Sequence, residues 1–511
     1  MRKVSRAMAA LAAVAAFGLA TPSAARSAGA RSYPDHVTLV YTADVFGTLE
    51  PCGCSRDQRG GLARMATALA RIRAEGQPVF FVTGGDVLFE APPAGDLADQ
   101  QQLAARTTAR ALAAMGLDAF APGERDLVLG AWFPRELGLP AGERFTLRAG
   151  GRGRPLVALG PRGAVPAAPI RVGLVHAGGT RAAAARAEEA RREGLALLLA
   201  SHRDEVLEDD VNRVVLDAAV PVVQVQGRGQ SLARVDLYLR GDLARGFAAV
   251  PAASLREEEL ELIQARMAAY GRRRAGALAS GEAELARALD AKLTELAQRA
   301  RTLRAAPVPK PPRDRPSLVV TFLPLGENVP QDRAVRALLD AHHAEVARRN
   351  LARARAAPRP CPAPREGAAA YVGTDEAPSG GVSSCKGCHP ESVAHWQTTR
   401  HARAWATLVR VGRQSDLACV GCHVTGWREP GGACDIGAVE GRRDVQCEAC
   451  HGPASLHALD PPGHITRAPG EARCLGCHTP EHSTGFELQS YLKGVIGPGH
   501  GDGLRGQSGR P

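Results

Sequence analysis

Between residues 37 and 250, short apolar or β-branched runs alternate with Ala-rich stretches whose apolar positions recur at helical spacing. The runs at 37–42, 78–83, 119–122, 170–175, 196–200, 220–225 and 233–239 predict strands, and 62–74, 96–115 and 180–193 predict helices. This order implies an α/β layered domain rather than a helical bundle or an all-β barrel. The pattern then changes. Residues 254–306 are charged and helical, as in Leu255-Arg256-Glu257-Glu258-Glu259-Leu260, and predict one or two long solvated helices, as in a helical hairpin. A Pro-rich hinge at 306–316 precedes a strand at 317–325 and a helix at 332–353, and a second linker follows at 356–364. The expected division is therefore 1–25, 31–253, 254–306, 307–364 and 365–511, a multidomain chain whose last segment is mostly α or irregular.

The N-terminus has the form of a secretory signal. Arg2, Lys3 and Arg6 precede the small apolar run 7–20, and Thr21-Pro22-Ser23-Ala24-Ala25 suits cleavage after Ala25. The apolar run is too short to span a bilayer, and no later stretch reaches about eighteen apolar residues. The expectation is a periplasmic protein with no transmembrane span after signal cleavage.

The last quarter carries the chemistry. Cys-x-x-Cys-His occurs four times, at Cys385/Cys388/His389, Cys419/Cys422/His423, Cys447/Cys450/His451 and Cys474/Cys477/His478. This is the attachment signature of haem c: two thiols form thioethers to one porphyrin, and the following imidazole is the proximal iron ligand. Zinc is the rival, because paired Cys-x-x-Cys also builds zinc ribbons. A ribbon needs no His after every second Cys, so four covalently attached haem c groups are expected.

Of the 12 cysteines, eight lie in these motifs, which leaves Cys52, Cys54, Cys361 and Cys434. In an oxidising compartment Cys361 and Cys434 could pair. The net charge is +11, carried mostly by Arg, but no basic block is interleaved with aromatics, so nucleic-acid binding is not expected. Haem propionates would offset part of this excess, and the rest could steer an acidic redox partner.

Beyond the motifs, His395-Trp396-Gln397-Thr398-Thr399-Arg400-His401-Ala402, Cys422-His423-Val424-Thr425-Gly426 and Cys450-His451-Gly452-Pro453 follow one another in order. Over roughly 370–500 the chain resembles the cytochrome c-554 family of tetrahaem electron carriers. Six histidines outside the motifs lie here: His395, His401, His457, His464, His482 and His500. The resemblance implies distal ligands at His401 and His457 and a third beyond the last motif, at His500 with His482 as alternative. It also implies that the His423 haem lacks a protein sixth ligand and is open to water or a small molecule such as nitric oxide. His395 and His464 are expected to be ordinary surface residues.

Near the start, Thr42-Ala43-Asp44-Val45-Phe46-Gly47, Gly60-Gly61-Leu62-Ala63-Arg64, Gly84-Gly85-Asp86 and Ser201-His202 succeed one another. Over about 36–250 the chain resembles the 5'-nucleotidase-like metallophosphoesterases. The resemblance implies a divalent-metal site drawn from Asp44, Asp86 and His202, with Glu124, Cys52 or Cys54 as replacement ligands. Phe46 stands in place of a ligating His, and Gly123-Glu124-Arg125-Asp126 has lost the Asn ligand and the phosphate-stabilising His, so the site is degenerate. Cys52-Gly53-Cys54 falls on the loop after the first strand, where thiols could bind a soft metal, exchange disulfides or simply be buried.

The expected function is electron transfer with periplasmic or membrane-bound redox partner proteins. The alternatives are phosphoester hydrolysis in the N-terminal domain, or reduction of a small nitrogen oxide at an open haem. An electron carrier is favoured over a hydrolase.

Overall fold

The computed structural model describes residues 33–500 apart from 52–57, 150–153, 162, 177–178, 202–211, 374–384, 462, 465, 467, 480–481 and 484–485. Residues 1–25, expected to be a signal, and Cys52, Cys54 and His202 lie outside the described residues.

The strands in chain order are β1 (His36–Thr42), β2 (Val79–Thr83), β3 (Ala119–Phe120), β4 (Phe145–Leu147), β5 (Val157–Pro161), β6 (Ile170–His176), β7 (Leu197–Ser201), β8 (Arg213–Val215), β9 (Val222–Gln224), β10 (Ser231–Tyr238), β11 (Ala248–Pro251) and β12 (Ser317–Pro324). They form two six-stranded sheets, ordered β11-β12-β10-β1-β2-β3 and β4-β5-β6-β7-β9-β8. The helices of this part are α1 (Leu62–Arg73), α2 (Ala98–Ala114), α3 (Trp132–Glu136), α4 (Gly179–Ala184), α5 (Ala187–Arg192), α6 (Ala253–Ala279), α7 (Ala283–Ala305) and α8 (Arg333–Ala356).

Strand alternation explains the layering. Leu39 and Tyr41 of β1 point into a core shared with Leu159, Val172 and Leu199 of the second sheet, whereas Val40 points the other way. Beyond that outer face α1, α2 and α8 pack through Met65, Leu112 and Leu339. Ala183, Ala187 and Ala190 of α4 and α5 cover the far face of the second sheet. The result is an α/β/β/α stack, the layered domain that the alternation predicted.

Three details differ from the sequence reading. The helix expected over 180–193 is two short helices, because Arg186 leaves the helical region (φ −101, ψ 2) between them. The segment 307–364 is not separate from the N-terminal layers. β12 hydrogen-bonds along its length to antiparallel β10 and is parallel to β11, and α8 packs on α1 and α2. Short strands β4, β5, β8 and β11 were not expected. The charged stretch is a helical hairpin, with α6 and α7 linked by Arg299–Glu259 and by Arg274–Asp290 at 2.5 Å.

The C-terminal segment is built of short helices joined by irregular chain: α9 (Pro390–Thr398), α10 (Ala404–Arg410), α11 (Leu417–His423), α12 (Cys447–His451), α13 (Ser455–Leu459), α14 (Glu471–Leu475) and α15 (Leu488–Leu492). Its apolar core of Trp405, Leu408, Val420, Val424 and Ile436 also takes in Leu97, Leu351 and Ala354 from the preceding domain. Polar contacts support that seam. Gln100 Nε2 donates to Asp416 at 2.5 Å, and Asn350 Nδ2 donates to the Ser415 carbonyl at 2.9 Å. Cys361 and Cys434 form a disulfide with Cα atoms 5.1 Å apart, joining the linker after α8 to the C-terminal core. Among the described residues no helix is long and apolar enough to cross a membrane.

Candidate haem sites and the cleft of the N-terminal domain

Each Cys-x-x-Cys-His motif forms a turn or one short helix, which puts both thiols and the imidazole on one stretch of backbone. All eight motif cysteines are thiols rather than disulfides. Cys477 is hydrogen-bonded to Cys422, and Cys450 lies beside Cys474 and Cys447, so the second, third and fourth motifs converge. Burial first, then those neighbouring thiols, push the Cys450 thiol up to about 11.

The imidazoles report whether iron fits. A ring nitrogen lies roughly 1.1 Å from its ring centre and roughly 2.0 Å from a bound metal, so two rings sharing one ion stand about 6.2 Å apart. The rings of His389 and His457 are 6.3 Å apart and nearly parallel, at 18°. Those of His401 and His478 are also 6.3 Å apart. His500 neighbours His451 and His395; burial first, with the charges of those two rings adding, holds its imidazole below the ordinary value against backbone hydrogen bonds at Gly497 and Pro498 that favour the protonated ring.

Hydrogen bonds to carbonyls, which only accept, assign the tautomers. Nδ1 of His423 donates to Ala404 O at 2.6 Å and Nδ1 of His451 to Thr466 O at 2.7 Å. Nδ1 of His500 meets both the Gly497 carbonyl at 3.2 Å and the Gly497 N–H at 3.3 Å, so either tautomer has a backbone partner, whereas Nδ1 of His457 donates to Gly463 O at 3.1 Å. His423, His451 and His457 therefore keep the Nε2 lone pair for a metal, and the carbonyl fixes the orientation of each ring. His395 is the reverse. Its Nε2 donates to Val495 O at 3.1 Å, so that nitrogen carries a proton and has no lone pair to give. The ring is half-buried against His500 and Gly497, which corrects the expectation of a surface residue. His482 is exposed and bonded to Thr479, and His464 is exposed near Asp460. Among the described residues no second imidazole faces His423, whose nearest side-chain partner is Thr407 at 3.4 Å. The thiols, the paired rings and the tautomers of His423, His451 and His457 fit haem.

The N-terminal cleft lies where β1 and β2 end side by side. Phe46 N donates to Asp86 O at 2.9 Å and Asp44 N to Gly85 O at 2.9 Å, which brings the two aspartates together. Both are buried, at 1% and 0% exposure, and both have φ 52. Asp126, buried beneath them, accepts from Val87 N, Leu88 N and Gly123 N. Its carboxyl is pushed up to about 7 by burial, with Asp86 adding and the N–H donors opposing.

His176, at the end of β6, carries no motif and is absent from the sequence reading. Its Nε2 is 3.7 Å from Asp86 Oδ1. Ser201 donates to Gly84 O at 2.7 Å, so it accepts from His176 Nδ1 at 2.8 Å and leaves a lone pair on Nε2. Glu124 is exposed, and its backbone N–H turns to His176 Nε2 at 3.4 Å. Arg125 fills the middle, with its guanidinium 4.8 Å over the Phe46 ring and 3.6 Å from Asp86 Oδ2. Among the described residues no group of three or more His, Cys, Asp or Glu side chains could hold a metal ion, and the implied ligands Cys52, Cys54 and His202 lie outside them.

The family described as cytochrome c554 and c-prime matches residues 384–452. Cytochrome c-554 of Nitrosomonas europaea is 32% identical over 93 residues, which cover 15% of this chain and 40% of that protein. Among solved structures, the Thermus thermophilus sulfate thiohydrolase SoxB in complex with glycerol aligns at 16% identity and TM-score 0.36, covering 61% of each chain. The calcineurin-like phosphoesterase YfkN from Bacillus subtilis aligns at 15% identity and TM-score 0.29, over 40% of this chain and 86% of that one. The 5'-nucleotidase precursor from Thermus thermophilus aligns at 15% identity and TM-score 0.27, over 41% of this chain and 52% of that one. These overlaps are too partial to carry weight, and the likeness of the N-terminal domain rests on its motifs. The C-terminal part of the chain thus resembles the cytochrome c-554 family, with haem c as the implied cofactor, and follows an α/β domain whose motifs resemble those of the 5'-nucleotidase-like metallophosphoesterases.

Proposed function

We propose that this protein is an exported, periplasmic electron carrier holding four haem c groups, fused to a phosphoesterase-like domain that does not hydrolyse phosphate esters. The observation that carries the reading is the spacing of His389–His457 and His401–His478, each at 6.3 Å beside a motif whose cysteines are thiols. When bound, haem supplies a one-electron ferric–ferrous couple whose potential depends on its axial ligands.

In this reading the motif cysteines anchor each group, and His389, His423, His451 and His478 are proximal ligands. His457 would be distal to the first group, His401 to the fourth and His500 to the third. Two imidazoles on one iron favour a low-spin centre that exchanges electrons with little rearrangement. Convergence of Cys422 with Cys477, and of Cys450 with Cys474, supports closely spaced groups and hence transfer between them. Soluble or membrane-bound redox proteins are the partners. Pyridine haemochrome spectra together with the intact mass of the exported protein test the count; fewer than four haems per chain overturn the reading.

A second reading concerns the His423 group alone. With no facing imidazole among the described residues, it would leave a position for a small ligand such as nitric oxide. A spectral change when nitric oxide meets the reduced protein supports this, and a fully six-coordinate spectrum without response removes it.

A further inference from the structure

We propose that the N-terminal domain positions the second haem, with Gln100 of α2 and Asn350 of α8 holding the start of α11, the helix that carries Cys419, Cys422 and His423. The inference rests on the reading that these three residues bind haem c, and it gives the domain in front of them a part in electron transfer.

A helix leaves its first four N–H groups without partners inside the helix. In α11 they belong to Leu417, Ala418, Cys419 and Val420, and each has an acceptor. The Asp416 carbonyl takes Cys419 N at 2.9 Å and Val420 N at 3.0 Å, and Asp416 Oδ1 takes Ala418 N at 3.0 Å. Leu417 N donates to Gln100 Oε1 at 3.3 Å, across the seam. The Gln100 amide also donates through Nε2 to Asp416 Oδ1 at 2.5 Å. One side chain of the N-terminal domain thus serves both the backbone and the capping carboxylate of α11.

Asn350 fixes that side chain. It is 5% exposed, and its Nδ2 donates to Gln100 Oε1 at 3.1 Å and to the Ser415 carbonyl at 2.9 Å. Arg413 closes the other side of the carboxylate, donating to Asp416 Oδ2 through Nε at 3.1 Å and Nη2 at 2.7 Å. Apolar contact with Leu351 and Ala354 alone would let α11 slide or turn, whereas hydrogen bonds to a buried amide have a direction. The third and fourth motifs lack this arrangement: α12 starts at Gln446 and α14 at Gly470 with no capping side chain. Because α11 has only seven residues, displacing its start displaces both cysteines and the imidazole. The charge acts in the same sense. Without the Gln100 donor the Asp416 carboxylate, three residues ahead of Cys419, is less compensated and favours the ferric state, which lowers the potential.

The test uses the full haem-loaded protein, with reduction potentials resolved by spectroelectrochemical titration and the haem count taken from intact mass. The signal altered or lost in His423→Ala identifies the second haem. Gln100→Met and Asn350→Leu keep the side-chain bulk and remove the hydrogen bonds. Each is expected to lower the potential of the second haem while four haems stay attached and the other three potentials keep their wild-type values. Val172→Ala, in the core between the two sheets, loosens the domain away from the seam and is expected to leave all four potentials unmoved. Gln100→Met, at a half-buried position, carries the comparison should Asn350→Leu not fold, with far-UV circular dichroism as the control. A second haem at its wild-type potential in every folded seam variant overturns the inference, as does an equal shift in Val172→Ala. Fewer than four haems in wild type sinks the electron-carrier reading itself, whereas four haems with unmoved potentials sink only the positioning role of Gln100 and Asn350.

Discussion

Asp96, just ahead of α2, holds Arg428 of the C-terminal segment at 2.7 Å. Arg359 reaches the same carboxylate at 2.7 Å, and Arg353 donates to its carbonyl at 3.1 Å. Burial raises the Asp96 carboxyl, but the hydrogen bond from Arg359 and the charges of Arg428, Arg359 and Arg353 outweigh it and leave the group below its ordinary value. One carboxylate thus gathers cations from both sides of the seam. Asp96→Asn should cost about 1 kcal/mol of docking, a small amount because the side chain keeps 26% exposure. Thermal melts at low and high salt check it. The deficit should shrink as salt screens the charges; an equal deficit at both ionic strengths would show that the ion pairs are not its source.

The Cys361–Cys434 disulfide spans 73 residues, and a closed loop of that length removes much freedom from the unfolded chain. The C361S/C434S variant should lose about 2–4 kcal/mol. Urea titration followed by haem absorbance, with and without reductant, measures it. Reductant should weaken wild type and leave the variant unmoved.

Replacing the proposed distal ligands one at a time should separate the haems spectroscopically. His457→Ala, His401→Ala and His500→Ala should each convert one six-coordinate low-spin centre to high spin while all four attachments stay intact. His395→Ala should leave the spin-state count unchanged, because among the described residues its ring faces His500 and no motif histidine. Electron paramagnetic resonance of the oxidised variants gives the count, and a lost low-spin signal in H395A alone would reverse the assignment of His500.

Acid should loosen α8 first. His342 is held at about 4 by burial, with the charge of His343 adding, against an ordinary 6.5. The folded chain therefore binds fewer protons than the unfolded chain between those values. The contribution is complete above pH 6.5 and is lost as pH falls toward about 4. Glu50 follows at lower pH. Burial raises its carboxyl, but the His343 hydrogen bond and charge and the Arg336 charge bring it to about 2, so its contribution is full above 4.5 and fades below. His342→Gln should flatten the stability profile between pH 6.5 and 4 by on the order of 1–3 kcal/mol. Far-UV melts across that range decide it; an unchanged slope would exclude His342 as the titrating group.

Attachment of haem was legible because its chemistry is local: two thiols and an imidazole must occupy one short turn, and Cys385-Lys386-Gly387-Cys388-His389 states this without help from the fold. The layered α/β domain was legible for a similar reason, since strand and helix periods are carried by neighbouring residues. Partnership was not. The strand at β12 has the same alternation whether it pairs with β10 or stands alone, and only backbone hydrogen bonds between segments far apart in the chain assign it to the first sheet. His395 and His500 look alike in the chain, yet one meets the Val495 carbonyl through Nε2 and the other meets the backbone of Gly497 through Nδ1. His176 carries no motif and enters the cleft because β6 and β7 end together beside Ser201. Arg125 reads as a lost histidine in sequence, and Phe46 and Asp86 make it a cation in place. Chemistry set by covalent neighbours was written in the sequence; proton positions and charge balance depended on groups that only folding brings within hydrogen-bonding distance.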